Sequence, residues 1–238
     1  MKLINKLKDR ISYDSILATP INQILRYYPF VGFIKNSKKI NKNLKILEIS
    51  SGGAGITKFV KTQVIGIDVK VDDIQSPYLT LIKQSALEKF PFKDNEFDVV
   101  LSVDGYEHLP KNKRKKTLEE MYRVSKKYIL LTTLFGETKW DRKVLTEWTS
   151  NHKYYRDILE HKKMGFPSLS EIKIFLKNKK HELEIKHGAH PKLSYFLMLT
   201  EQNIVSSLLS RTLLKLFLPV FKLYKGDNRL HLFITKIG

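Results

Sequence analysis

Short apolar runs bounded by glycine, proline and charge alternate with stretches of helical periodicity through the middle of the chain. Residues 44–49 read as a buried strand, 50–55 as a glycine-rich turn, 56–62 as a helix and 64–69 as a second strand, which is a β-α-β unit. Further strands are expected at 78–82, 97–103 and 128–133, with a helix over 112–125. Strands alternating with helices imply a parallel sheet covered on both faces. Ahead of this region, residues 1–40 read as helical turns broken at Pro20 and Pro29.

After Thr133 the alternation stops for an insertion, 134–167, that holds Trp140 and Trp148 and is too long for a simple connection. A helix over 168–178, capped by Ser168 or Ser170, and a strand over 181–186 restore it. A second insertion, 191–225, contains an amphipathic segment, 204–224, in which Leu209, Leu213, Leu216 and Phe217 share an apolar face. Residues 229–237 read as a closing strand.

At 238 residues the chain suits one elaborated domain. It divides into an extension (1–43), a ligand-binding half (44–133), the insertion 134–167 and a C-terminal half (168–238). A net charge of +19 is carried by 35 Lys and only 8 Arg, so it speaks for solubility more than for phosphate recognition. The absence of cysteine removes disulfide scaffolds, thiolate zinc sites, iron–sulfur clusters and cysteine nucleophiles. The first 20 residues lack the apolar core of a secretory signal, and no run is long enough to span a bilayer. A cytoplasmic protein is expected, with 204–224 as a candidate for peripheral contact with the membrane's cytoplasmic face.

The chemistry is expected at the carboxyl ends of the strands. Ser50, Ser51, Gly52, Gly53, Ala54 and Gly55 join the first strand to a helix through small residues, so a ligand can approach the backbone closely. Glu48, near this loop, would repel a diphosphate but suit a ligand carrying positive charge, such as a sulfonium. Asp68 ends the second strand, where a carboxylate can accept both hydroxyls of a ribose.

With the runs 46–55, 64–68, 90–100 and 104–109 in this order, the chain resembles class I S-adenosylmethionine-dependent methyltransferases, the ubiquinone-biosynthesis-like branch most of all. The resemblance implies an α/β three-layer sandwich, its seven-stranded sheet mostly parallel and its last strand antiparallel, with helical insertions. It further implies that Glu48, Ser50, Ser51, Gly52, Ala54, Asp68 and Asp104 bind S-adenosylmethionine, with Ser85 and Ala86 flanking the adenine. Ser50 replaces the usual first glycine, and Ser85 stands where a carboxylate often receives the adenine amino group. Residues 148–168 resemble the accessory region of methyltransferases found with surface-glycan biosynthesis enzymes.

Methyl transfer requires alignment and, for a hydroxyl or amine acceptor, a proton acceptor. His108 and Asp104, just after the fourth strand, are the catalytic candidates, with Glu160 and His161 weaker ones on the acceptor side. The reading assigns no metal. Lys111, Lys113, Arg114, Lys115 and Lys116 form either an anion-steering patch or a solvated helix face. The acceptor is expected to be a small molecule, lipid or glycan intermediate. Nucleic acid is less favoured because the Asp/Asn-Pro-Pro-aromatic motif for exocyclic amines is absent and no cysteine exists for 5-methylcytosine chemistry. Competing readings are a tRNA or rRNA methyltransferase, a noncatalytic binding protein on the same fold, and a nicotinamide-dependent oxidoreductase, which Glu48 opposes.

Overall fold

A computed structural model describes residues 19–70, 76–135, 155–188, 208–210, 212 and 226–237. Seven strands form one sheet: β1 (Ile46–Ile49), β2 (Val64–Asp68), β3 (Leu79–Lys83), β4 (Phe97–Val103), β5 (Ser125–Thr133), β6 (His181–Gly188) and β7 (Gly226–Lys236). Their order is β3-β2-β1-β4-β5-β7-β6, with β7 antiparallel to both neighbours and the other pairings parallel. This is the expected sandwich, including its antiparallel last strand. Because β1 pairs with β2 on one side and β4 on the other, the order in which strands are added reverses there and a crevice opens at the strand ends.

The period of two in each strand divides the core into two layers. On one face Val99, Leu101 and Val103 of β4, Leu130 of β5 and Phe233 of β7 meet helix α1 (Ile21–Ile40). On the other, Ile129 and Leu131 of β5 and Leu232 and Ile234 of β7 meet α2 (Lys111–Val124) and α4 (Leu169–Leu176). Phe97 joins Val100 on this second face despite their odd spacing, because the β4–β5 register shifts between Phe97 and Val99.

Helix α1 departs from expectation. Pro20 is its N-cap, but Pro29 lies inside it without ending it. Ile21, Ile24, Tyr27, Phe30, Val31 and Ile34 are all buried, one continuous stripe on both sides of Pro29. Burying it, at about 1.5–3 kcal/mol per large side chain, outweighs the roughly 3 kcal/mol cost of an interior proline. The helix expected over 56–62 is a single 3-10 turn, Gly55–Lys58.

Helix α3 (Tyr155–Met164) follows the part of the first insertion outside the described residues, which includes Trp140 and Trp148. Of the amphipathic segment 204–224, only residues 208–210 and 212 are described. Ser168 caps α4 through a capping box with Glu171, so the choice between the two serines resolves to Ser168. No helix among the described residues is long and apolar enough to cross a membrane.

Candidate active site

The loop after β1 turns three times through left-handed backbone, at Ser50 (φ 59°), Gly52 (φ 54°) and Gly55 (φ 49°). Two carboxylates hold it. Asp68, at the end of β2, accepts from the Gly52 N–H at 2.9 Å and from the Lys70 N–H at 2.9 Å. Glu48 accepts from the Ile56 N–H at 2.7 Å and from the Tyr27 hydroxyl at 2.8 Å.

The structure places Glu48 beneath the loop instead of on its open face. It is fully buried, and the carboxylate fits there because Gly55 has no Cβ, which would collide with it. Burial raises Glu48 to about 8 against the relief given by the Ile56 N–H, Tyr27 and Lys58. Burial, followed by the charge of Glu48, likewise pushes the Tyr27 hydroxyl well up. Glu48 therefore organises the loop and faces away from any ligand on its outer side.

Ser51 and Ala54 are also buried, so the loop offers its backbone rather than these side chains. The hydroxyl of Ser51 donates to the Gly52 carbonyl at 3.1 Å and sits where a Cβ on Gly66 would be. Above the loop lies a hollow of about 150 Å³, which Gln23 and Tyr27 of α1 and Lys58 close. The ammonium of Lys58 donates to the Gln23 side-chain carbonyl at 3.0 Å. Beside it the ends of β2 and β3 meet where the Gln84 N–H donates to the Asp68 carbonyl at 2.9 Å, which brings Ser85 and Ala86 next to Asp68. The Ser85 hydroxyl accepts from the Leu87 N–H, and the Ala86 carbonyl accepts from the Thr117 hydroxyl.

At the end of β4, Asp104 is also left-handed (φ 52°), and Gly105 packs directly on Ser50, joining the two strand ends. Asp104 pairs with Arg26 of α1 at 2.7 Å and with Arg229 of β7. With both oxygens on guanidiniums, Asp104 serves charge pairing, which argues against the catalytic role expected for it. Burial holds Arg229 well below the usual guanidinium range, and the charge of Arg26 adds to this. Nearby His231, fully buried against Thr132, is pushed down to about 3 by burial, then by Arg229 and Lys186, and is neutral.

The next turn, Tyr106–His108, presents Glu107 inward and His108 outward. Glu107 accepts from the Thr133 hydroxyl at 2.7 Å, and burial raises its carboxyl. The Nδ1 of His108 lies 3.3 Å from Glu160 of α3, and its ring is 4.8 Å from that of His161. Arg114 fastens this assembly. Completely buried, it donates to the carbonyls of Glu107 (3.2 Å), Met164 (3.3 Å) and Gly165, tying the turn to the end of α3. The basic run is thus divided: Lys111, Lys113, Lys115 and Lys116 are exposed, whereas Arg114 is structural.

Sequence reasoning located both strand ends but missed Gln23, Arg26, Tyr27, Lys58, Glu107 and Arg229. Arg26 and Tyr27 carried a signal, since both lie on a helix whose apolar stripe had to pack on the sheet. Arg229, 125 positions after Asp104, carried none. A larger hollow of about 780 Å³ lies between α2 and α4 and shares no lining residue with the loop.

The site fits a nucleoside-linked ligand. The carboxylate of Asp68 has about four acceptor positions and spends two on backbone N–H groups, leaving two for vicinal hydroxyls. With this geometry in place, the sheet order and its flanking helices define a Rossmann-like fold. Residues 47–129, about a third of the chain, match the family described as a methyltransferase domain. No curated protein matches the chain. Among solved structures, a SAM-dependent methyltransferase from Archaeoglobus fulgidus aligns over 88% of this chain and 94% of its own, at 15% identity and a TM-score of 0.52. The plantazolicin methyltransferase BpumL in complex with SAH aligns over 100% and 90%, at 16% identity and a TM-score of 0.57. A phosphoethanolamine N-methyltransferase 2 of Haemonchus contortus, with S-adenosyl-L-methionine, aligns over 98% and 60%, at 15% identity and a TM-score of 0.53. At such identities the likeness is one of fold. Residues 47–129 thus resemble a methyltransferase domain, and the fold is shared with structures that are SAM-dependent methyltransferases.

Proposed function

We propose that the chain transfers a methyl group from S-adenosylmethionine to a small-molecule, lipid or glycan acceptor held over the ends of β4 and β5. The observation that carries this reading is the joining of two polar strand ends at one crevice, the Asp68-held loop and the Asp104–His108 turn, through the contact of Gly105 with Ser50. When bound, S-adenosylmethionine supplies a methyl group on a sulfonium. The protein binds, aligns and keeps water out.

Asp68 takes the ribose hydroxyls, the backbone of Ser50–Ala54 lies along the methionine portion, and Ser85 and Ala86 flank the adenine. Gln23, Tyr27 and Lys58 close the methionine end, where the Lys58 ammonium can pair with a carboxylate. Since Arg26 and Arg229 occupy Asp104, a proton leaving the acceptor falls to the His108 side of the mouth, where Glu160 orients the ring. The small-acceptor reading draws support from the solved relatives, whose names specify plantazolicin and phosphoethanolamine. The resemblance to ubiquinone-biosynthesis and glycan-associated methyltransferases points the same way.

Calorimetric titration with S-adenosylmethionine, S-adenosylhomocysteine and NADH tests this, for wild type and Asp68→Asn. Donor and product should each bind once per chain and NADH should not. Loss of a charged hydrogen-bond acceptor should weaken both ligands at least about tenfold while the unfolding transition persists. A folded wild-type chain that binds neither donor nor product would overturn the proposal and favour a noncatalytic binding protein.

A further inference from the structure

Glu107, His108 and His161 converge from two elements: the turn after β4 supplies the first two, and α3, more than 50 residues later, supplies the third. One ligand atom from each lies within 4.8 Å of those of the other two. Three donors around a single first-row ion, each about 2.0–2.2 Å from it, stand about 3.3–3.8 Å apart, so the three side chains must close by about 1 Å to share one. We infer that Glu107, His108 and His161 bind a divalent transition-metal ion at the acceptor side of the mouth.

Three features of the surroundings belong to a ligand site. The carboxylate of Glu107 accepts from the Thr133 hydroxyl at 2.7 Å. That bond orients the group while using one of its roughly four acceptor positions, which leaves others for a cation. His108 has Glu160 at its Nδ1, the arrangement that fixes a ligand histidine's tautomer and directs the opposite ring nitrogen to a metal. His161 is buried and wedged between the rings of His108 and Phe166, at 4.8 and 5.9 Å. Arg114 then holds the two ligand-bearing segments at a fixed separation through the Glu107, Met164 and Gly165 carbonyls.

Two imidazoles with one carboxylate favour zinc, iron(II), cobalt(II) or manganese(II) over calcium or magnesium, which prefer all-oxygen shells. Three protein ligands leave positions for water or an acceptor oxygen, whose proton such an ion makes easier to lose. That role rests on the methyl-transfer reading. Binding of the ion does not.

The test uses the full chain without a histidine tag, stripped with chelator and titrated with cobalt(II) and zinc in the absence of S-adenosylmethionine. One equivalent should bind, with the visible absorption of a histidine-ligated cobalt site. His108→Ala and His161→Ala should each weaken binding at least about tenfold, and His181→Ala, on β6, should not. Because His108 is exposed, its variant decides the matter should His161→Ala fail to fold. Absence of stoichiometric binding, or affinity unchanged in a folded His108→Ala chain, would overturn the inference. Separate titration with S-adenosylmethionine reports on the methyl-transfer reading, so failure of one is distinguishable from failure of the other.

Discussion

The two strand ends that meet in the crevice are built in opposite ways. At β1 and β2 the loop is organised largely by contacts close in sequence, with Glu48 to Ile56 and Asp68 to Gly52 spanning 8 and 16 positions, while Gln23 and Tyr27 of α1, Ser76 and Gly105 reach it from further off. At β4 and β5 nearly every contact is distant. Arg26 and Arg229 reach Asp104 from opposite ends of the described chain, and Arg114 reaches Met164 and Gly165 across 50 and 51 positions. The loop after β1 is a largely local motif that carries its own geometry, whereas the Asp104–His108 side exists only once the sheet has closed.

The largest expected effect comes from removing the clamp. Arg114→Ala leaves one buried and two half-buried carbonyls without their donor and detaches α3 from the turn, at a cost of about 3–5 kcal/mol in denaturant unfolding. If the two ends are independent, the surviving folded protein binds S-adenosylhomocysteine with wild-type affinity. Equal loss of stability and of product binding would break the comparison and make the crevice a single cooperative unit.

This contrast also explains what could be read in advance. The sheet, its closing antiparallel strand and the loop after β1 follow from periodicity and from small residues at fixed spacing, all of which are local. Asp68 was legible because a strand end beside a glycine loop constrains what a carboxylate can reach. Glu48 was legible as important, but its orientation was not: it follows from the Tyr27 hydroxyl that α1 brings to it and from the space left by the missing Cβ of Gly55. Pro29 misled because helix-breaking is a local rule and the buried stripe of α1 is a tertiary fact. The pairing of Asp104 with Arg229 requires knowing that β7 lies beside β5, which no spacing encodes.

A second prediction concerns the support under the loop. With Glu48 raised to about 8 by burial, against about 4.5 when unfolded, the folded state holds its proton across a window where the unfolded chain has lost it. The sign is therefore destabilising: stability is full below pH 4.5, falls as pH rises to about 8 and levels off above. Glu48→Gln keeps an acceptor for the Ile56 N–H and a partner for the Tyr27 hydroxyl but does not titrate. Relative to wild type it should gain roughly 4 kcal/mol between pH 5 and pH 9, read from unfolding midpoints across that range. Parallel pH profiles for the two proteins would show that Glu48 is ionised in the fold and that the loop rests on a charge.

The smallest effect sharpens the comparison from the acceptor side. Ser168 receives the Glu171 N–H at 3.1 Å, and Glu171 returns toward the Ser168 N–H while lying 4.0 Å from Arg114. Ser168→Ala should cost about 1 kcal/mol by exposing the first turn of α4. A purely local cap would add that cost to the cost of Arg114→Ala in the double variant. A cap that also steadies Glu171 against the guanidinium would not: once Arg114 is gone, the second loss should shrink by about 0.5 kcal/mol or more, measured by a double-mutant cycle. Strict additivity would confine the clamp to the carbonyls it holds, whereas the shortfall would extend the distant network of the acceptor side into α4.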